Sequence, residues 1–322
     1  MDKKIFHRSL LILIILIIGS LAIGRYPFPE KLNKVFPNDL YISLVTKVRM
    51  PRVLLSVFVG SGLAVSGLIM QNIFKNPLAD PGLLGINQAA GFGAALGILL
   101  FSDSFIMAQL LAFVFGILSL LLAIILSRNL KNDKQFSLVL AGISISALFS
   151  AGLGLIKYIA DPLDQLPSIV FWLLGSISNS NWNYLIRVFP IIICCLFILY
   201  LYRWRINLYS LNKEIQFSLG IKNDRELYLI LGTSVLLTTS IISHSGIVGW
   251  VGLIIPNIVR LIVGQNTKIT LPLCMILGGI FVLFCDNLAR SLFPGEIPLG
   301  IITAFFGAAS FIFLISYKRE FL

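Results

Sequence analysis

The chain has 322 residues, 57% of them hydrophobic and 12% charged, with a mean hydropathy of +0.95 and a formal net charge of +11. That balance excludes a soluble globular protein, and nothing in it points to nucleic acid as a partner. Apolar runs long enough to cross a bilayer recur from end to end without a polar stretch of domain size, so residues 1–322 read as one all-α polytopic membrane domain.

In chain order, Lys3, Lys4 and Arg8 precede an apolar core at residues 10–18. A cleaved signal peptide is the competing reading, because that core is short and small residues follow it. A retained first span with its N-terminus inside is preferred, since many spans follow. Residues 25–48 form a polar loop rich in Pro and Lys.

The second span opens with Arg49 and Arg52 around Pro51, and its apolar run ends at Gln71-Asn72. Within it Ser56, Gly60, Ala64, Gly67 and Gln71 follow at steps of 4, 4, 3 and 4. That spacing places them on one helical face, a stripe of small residues ending in an amide. Such a stripe suits a helix pressed against other backbones or one lining a path, and spacing alone leaves both open.

Further spans are expected near residues 82–101, 105–126 and 136–156. Residues 161–167 then break the pattern, and the run 169–177 is too short to cross, which suggests a half-helix or surface helix. The remaining spans fall near 184–202, 227–243, 247–263, 269–286 and 298–317, about ten in all. Lys and Arg number fifteen on the assigned inner side and eight on the outer, which places both termini inside. Six of the outer eight lie between Arg25 and Arg52, and this cluster suggests an acidic partner on that side.

Catalytic constellations are missing. His7 and His244 are the only histidines, and His244 reads as a polar turn residue. No metal-ligand spacing occurs among the four cysteines, and no Gly-Lys dipeptide exists to build a phosphate-binding loop. Asp286 and Arg260 sit near span ends, whereas an ion-driven carrier usually has ionisable groups at mid-membrane. No metal, cofactor or ATP site is therefore expected in this chain. The energy for transport is expected from another chain.

The inner segment 203–226 is the candidate place to receive it. Residues 211–220 read as a short helix capped by Asn212 and stopped by Gly220, with Ile215, Phe217 and Leu219 apolar where water is expected. A helix lying on the membrane surface is the competing reading. An ATPase-docking helix presenting Lys213, Glu214, Phe217, Leu219 and Gly220 accounts better for the exposed Phe217.

Several stretches carry a resemblance. They are Arg49-Met-Pro-Arg52, Gln71 with Asn76-Pro77-Leu78-Ala79-Asp80-Pro81, Leu84-Gly85 with Gly91, and Leu140-Ala-Gly142. Further on stand Ser218-Leu-Gly220, the stretch from Gly246 to Pro256 containing Gly252, then Arg260 with Gly264, and Glu296-Ile-Pro298-Leu-Gly300 with Gly307. In this order they resemble the FecCD/BtuC-type permease subunits of ABC importers for iron–siderophore, haem and cobalamin. The resemblance implies a type II ABC importer permease fold of ten spans in a prokaryotic cytoplasmic membrane. It also implies a second permease subunit, two cytoplasmic ATPase subunits that bind the ATP, and an extracytoplasmic binding protein. Residues 211–220 would be the coupling helix, and Arg49, Arg52 and Arg290 would meet acidic side chains of the binding protein.

The chain departs from the family pattern at several places. Asn212-Lys213 stands where Gly-Glu is usual, Asn257 for His, Trp250 for Phe and Ala309 for Pro. The expected cargo is an iron chelate. An ion-coupled carrier or channel acting alone is the alternative, disfavoured by the lack of mid-membrane acidic pairs.

Overall fold

The computed structural model describes residues 3–24, 42–101, 104–129, 134–220, 224–293 and 295–317. The expected basic residues Arg25, Lys31, Lys34, Lys131, Lys318 and Arg319, and the side chain of Lys213, lie outside what is described. The described residues form helices with no strand. They are α1 (Lys3–Ala22), α2 (Met50–Phe74), α3 (Ile86–Leu100), α4 (Phe105–Arg128), α5 (Lys134–Ile159), α6 (Gln165–Leu173) and α7 (Trp182–Leu201). Then follow α8 (Arg203–Tyr209), α9 (Lys213–Ser218), α10 (Asp224–Ser245), α11 (Val251–Val263), α12 (Thr267–Ser291) and α13 (Leu299–Tyr317).

Each expected span has its helix, but the spans are unequal. Among the described residues seven helical stretches are long and apolar enough to cross a membrane, whereas α3, α11 and α13 are apolar and shorter; the stretch that contains α2 starts at Ile42, so the expected loop at 25–48 is helical from there on. The expected span at 247–263 is the clearest correction. Residues 246–250 run without helix, and α11 then has 13 residues, about 20 Å. Gly246 and Trp250 turn the chain there with φ of +64° and +70°. The second value is an outlier for a bulky residue, held by contact of Trp250 with Gly307 and Phe311. The short element also moves: α6 begins at Gln165, ahead of the expected 169–177, because Pro167 falls in the first turn, where helical N–H groups have no partner.

α2 is the axis of the bundle. Twenty of its 25 residues are buried, and it packs against α7, α10, α11 and α12. Its small-residue stripe explains the depth of that contact. A Cβ on Gly60 would fall 2.0 Å from the Gly278 carbonyl oxygen of α12, and one on Gly67 would fall 1.8 Å from the Gly252 carbonyl oxygen of α11. Ser56 and Ala64 are fully buried in the same stripe, and Gln71 is nearly so. The stripe is a packing surface between backbones and does not line an open path. Two hydroxyls bond across these contacts: Ser61 Oγ donates to Met275 O at 2.7 Å, and Ser66 Oγ to Ser234 O at 3.2 Å.

α3, α4 and α5 pack together beside this axis, with Phe92, Phe115 and Phe149 in mutual ring contact. The outer faces of α1, α4, α5 and α7 remain apolar and exposed, as a lipid-facing surface requires.

Candidate functional site

α9 occupies the end of the bundle that holds the C-terminus of α2. It is one and a half turns long, with Asn212 at its N-cap position, but the Asn212 side chain makes no capping bond, contrary to expectation. Gly220 takes φ +90°, the left-handed conformation that ends a helix. The helix is pinned by Gln216, whose buried Nε2 donates to Leu211 O at 2.7 Å and Tyr209 O at 3.2 Å. With Gln216 turned inward, Glu214 is exposed, as are Ile215 and Leu219, and Phe217 is 65% exposed. An apolar face this open on a pinned helix can receive a partner.

Behind α9 lies a polar network that spacing did not reveal. Pro256 has no N–H, so the Gly252 carbonyl four residues earlier in α11 has no helical donor. Gln71 Nε2 supplies one at 3.3 Å and also donates to Leu253 O at 3.1 Å. The Gln71 Oε1 accepts from Arg260 Nη1, whose guanidinium also donates to Asn257 Oδ1 and Asn72 Oδ1, both at 3.2 Å. Asn72 Nδ2 then donates to Thr267 Oγ1 at 3.1 Å, and Thr267 Oγ1 to Asn207 Oδ1 of α8 at 3.1 Å. Asn257 donates to Pro77 O at 2.9 Å and Leu253 O at 2.8 Å while accepting from Arg260. A neutral imidazole has one donor and one acceptor, so it offers a poorer match to those two carbonyls and a guanidinium.

The other motif residues serve the same junction or its opposite end. Asn76 Oδ1 accepts from Leu78 N at 2.9 Å and holds the turn after α2. Pro81 starts a 3-10 turn, Pro81–Leu84, and its ring lies against Gly252, where a Cβ would come 2.8 Å from Pro81 Cδ. At the far end Pro298 precedes α13, and Gly300 N donates to Leu174 O at 3.0 Å. A Cβ on Gly300 would meet that oxygen at 2.3 Å, so the start of α13 rests directly on the segment after α6.

The three arginines expected as a docking set come together at the start of α2, but their guanidiniums are turned into the chain. Arg52 donates to Asp286 Oδ1 through Nε and Nη2 at 3.0 and 2.8 Å, and to Glu296 through Nη1 at 2.9 and 3.0 Å. Arg49 Nη1 donates to Leu21 O and Ala22 O, and Arg290 Nη2 to Ser20 O at 2.7 Å and to Asn287 Oδ1. The last carbonyls of α1 are thereby capped by two cations, the sign a helix C-terminus favours. All three arginines are buried and their guanidiniums bond to acceptors within the chain, where the resemblance implies acidic side chains of a binding protein. For Arg52 and Arg290 the physical reason is Asp286: a fully buried carboxylate inside an apolar helix demands cations, and these two are within reach, while Arg49 caps the end of α1. An acid amid arginines was the signal that could have foretold this.

His244 stands in the last turn of α10, not in the turn that follows it. Its Nδ1 lies 3.1 Å from Ser240 O and 2.9 Å from Ser243 Oγ, beside a cavity of about 580 Å³ that Trp172, Tyr184 and Ser176 also line. Among the described residues no group of acidic, His and Cys side chains could hold a metal ion.

Comparison with known proteins fits this geometry. The chain is 38% identical to the molybdate import permease MolB of Haemophilus influenzae, over 98% of this chain and 96% of that protein. It is 35% identical to a probable iron chelatin transport permease of Helicobacter pylori, over 98% and 99% respectively. The hemin transport permease HmuU of Yersinia pestis is 34% identical over 97% and 95%. A solved structure described as an inward-facing conformation of a metal-chelate type ABC transporter superimposes with a TM-score of 0.91 at 38% identity, covering 98% of this chain and all of that one. PsaBC from Streptococcus pneumoniae, at 15% identity and a TM-score of 0.58, shares the fold alone. The model of the FecCD transport family matches residues 11–317, nearly the whole helical bundle, and this chain belongs to that family.

Proposed function

We propose that this chain is the passive membrane half of a binding-protein-dependent importer that passes an iron chelate, a siderophore or haem. As a FecCD-family permease it is the membrane subunit of an ABC importer in a prokaryotic inner membrane, and ATP is hydrolysed on a partner chain. In this reading two permease subunits enclose the path, and two ATPases dock on the cytoplasmic side at α9. The observation that carries it is the open apolar face of α9, held by Gln216, on a chain whose sequence has no nucleotide-binding loop.

The opposite end receives the extracytoplasmic binding protein. Arg49, Arg52 and Arg290 then act by holding α1, α2 and α12 in one rim. A carboxylate of the partner would reach them only by displacing their internal acceptors.

The relatives named for iron chelatin and hemin support the cargo. The relative named for molybdate favours a second reading, an oxyanion. Proteoliposomes holding the permease, its ATPase and its binding protein separate these. Uptake of radioactive iron–siderophore or haem, dependent on ATP and absent without the ATPase, is the expected result. Uptake of molybdate alone would move the cargo to the oxyanion. Uptake driven by an ion gradient without the ATPase would overturn the importer reading.

A further inference from the structure

We propose that Arg260 is a positioning residue that orients a polar relay from α9 to the start of α11, hydrogen-bonded from Asn207 onward and joined to α9 through the backbone of α8, through which movement of α9 reaches the far end of the bundle. The inference rests on the reading of α9 as the docking helix. Each of its hydrogen bonds has a side chain on at least one side, and the α8 backbone joins Tyr209 to Asn207. Gln216 ties α9 to the carbonyls of Tyr209 and Leu211, at the end of α8 and just beyond it. Asn207 of α8 accepts from the hydroxyl and the backbone N–H of Thr267, the first residue of α12. Thr267 accepts from Asn72 of α2, and Asn72 and Gln71 both accept from Arg260 of α11. Gln71 closes the chain on the carbonyls of Gly252 and Leu253, where α11 begins.

Arg260 donates to both amide oxygens at the centre of the chain, and a guanidinium can only donate. Amide and hydroxyl groups can each face either way. A guanidinium forces both amide oxygens toward itself, so the Asn72 and Gln71 NH₂ groups must point outward. One of them then meets Thr267 and the other meets the orphaned Gly252 carbonyl. Thr267, having accepted from Asn72, has its hydrogen left for Asn207. Without Arg260 the Gln71 amide is still aimed by the two carbonyls it donates to, but the Gln71 and Asn72 oxygens lose their common donor, and the chain loses its junction between α2 and α11.

The charge arrangement argues that this is more than packing. Among the described residues no carboxylate pairs with Arg260; its acceptors are three neutral amide oxygens. A partly buried cation held only by amides is expensive to keep, and an apolar residue of similar volume would pack at lower cost. The links also join separate bodies. α8 and α12 meet only at the end of the bundle, and Gly252 is the point where α11 touches both Gly67 and Pro81. A displacement of α8 is therefore handed to the start of α11 and to the segment 246–250 that leads to Gly300.

The test uses the whole transporter with its ATPase, and the exposed Cys194 replaced by serine. Spin labels are placed at Ser218 on α9 and at the exposed Ile301 at the start of α13, and ATP with vanadate is the probe. In the parent both labels should respond. In Arg260→Gln and in Asn207→Ala the Ser218 response and ATPase association should persist, while the population shift at Ile301 falls about tenfold. Thr267→Val should match them and Thr267→Ser should rescue, since only the hydroxyl is needed. The double variant Arg260→Gln/Asn207→Ala should be no worse than either single one, because a broken chain cannot be broken twice. An unchanged Ile301 response in Arg260→Gln or Asn207→Ala overturns the proposal and leaves the docking reading intact. A parent whose Ser218 label ignores the ATPase overturns both. Loss of association or melting temperature in Asn207→Ala, matching its loss of response, reduces the chain to a structural brace and also overturns it.

Discussion

Gly60 and Gly278 meet backbone to backbone, so close that a methyl group on Gly60 would sit 2.0 Å from the Gly278 carbonyl oxygen. No rotamer relieves a clash with main chain. Gly60→Ala should therefore force α2 and α12 apart and cost about 1–3 kcal/mol or more, and Gly67→Ala should do the same against α11. Gly232, which has nothing within 4 Å of its Cβ position, is the control. Gly232→Ala should be neutral or stabilise by about 0.5–1 kcal/mol through helix propensity. Thermal unfolding in detergent compares the three.

The Gln71–Gly252 bond exists because Pro256 withholds a helical donor. Gln71→Leu leaves the Gly252 carbonyl buried and unpaired, at about 1–3 kcal/mol. Pro256→Ala restores the helix's own N–H at that position. In the background of Pro256→Ala, Gln71→Leu should cost clearly less than in the parent. Equal costs in both backgrounds would show that the carbonyl is satisfied some other way.

Arg52 and Asp286 form a buried pair, and removing one partner strands the other. Asp286→Ala should destabilise by about 3–5 kcal/mol because two cations lose their counter-charge. Arg52→Lys should also lower the melting temperature, since one ammonium cannot reproduce the fork that spans Asp286 and Glu296. The same variant separates the internal role from direct docking. A direct docking fork predicts lost capture of the binding protein at unchanged melting temperature; the internal role predicts the reverse order of effects.

Phe217 is 65% exposed, so its replacement should not disturb the bundle. Phe217→Asp is expected to keep the parent's melting temperature yet fail to co-purify with the ATPase. Retained co-purification would remove α9 from the interface.

Burial pushes the Asp80 carboxyl above its usual range, and the N–H groups of Gly82 and Leu83 only partly offset that. A carboxyl whose pKa is raised on folding binds protons more readily than the unfolded chain does. Its contribution to stability therefore grows as pH falls through the window between the raised value and the ordinary one near about 4. Asp80→Asn should remove this slope and raise the melting temperature at neutral pH. An unchanged slope would show that Asp80 is not its source.

Much of this protein was legible without coordinates. The order of its spans, though not the length of each, followed from apolar run length, because in a bilayer every backbone polar group must be satisfied within its own helix. A short helix within 211–220, with Gly220 past its end and Phe217 outward, followed from local rules, although the Asn212 cap they also implied does not form. What local rules could not reach was partnership. The stripe on α2 read equally as path or packing, and only the approach of Gly278 and Gly252 decided for packing. Arg49, Arg52 and Arg290 are matched to a partner's carboxylates by resemblance alone, because nothing in spacing tells a cation whether its nearest carboxylate belongs to a partner or to Asp286, more than 230 residues along the chain from Arg52. Gln71, Asn72, Thr267 and Asn207 are unremarkable singly, and become a chain only when four helices converge. Helix formation depends on neighbours in sequence and on the solvent, which the sequence contains. Pairing of buried polar groups depends on which distant backbone or side chain arrives beside them, and that is settled by tertiary packing alone.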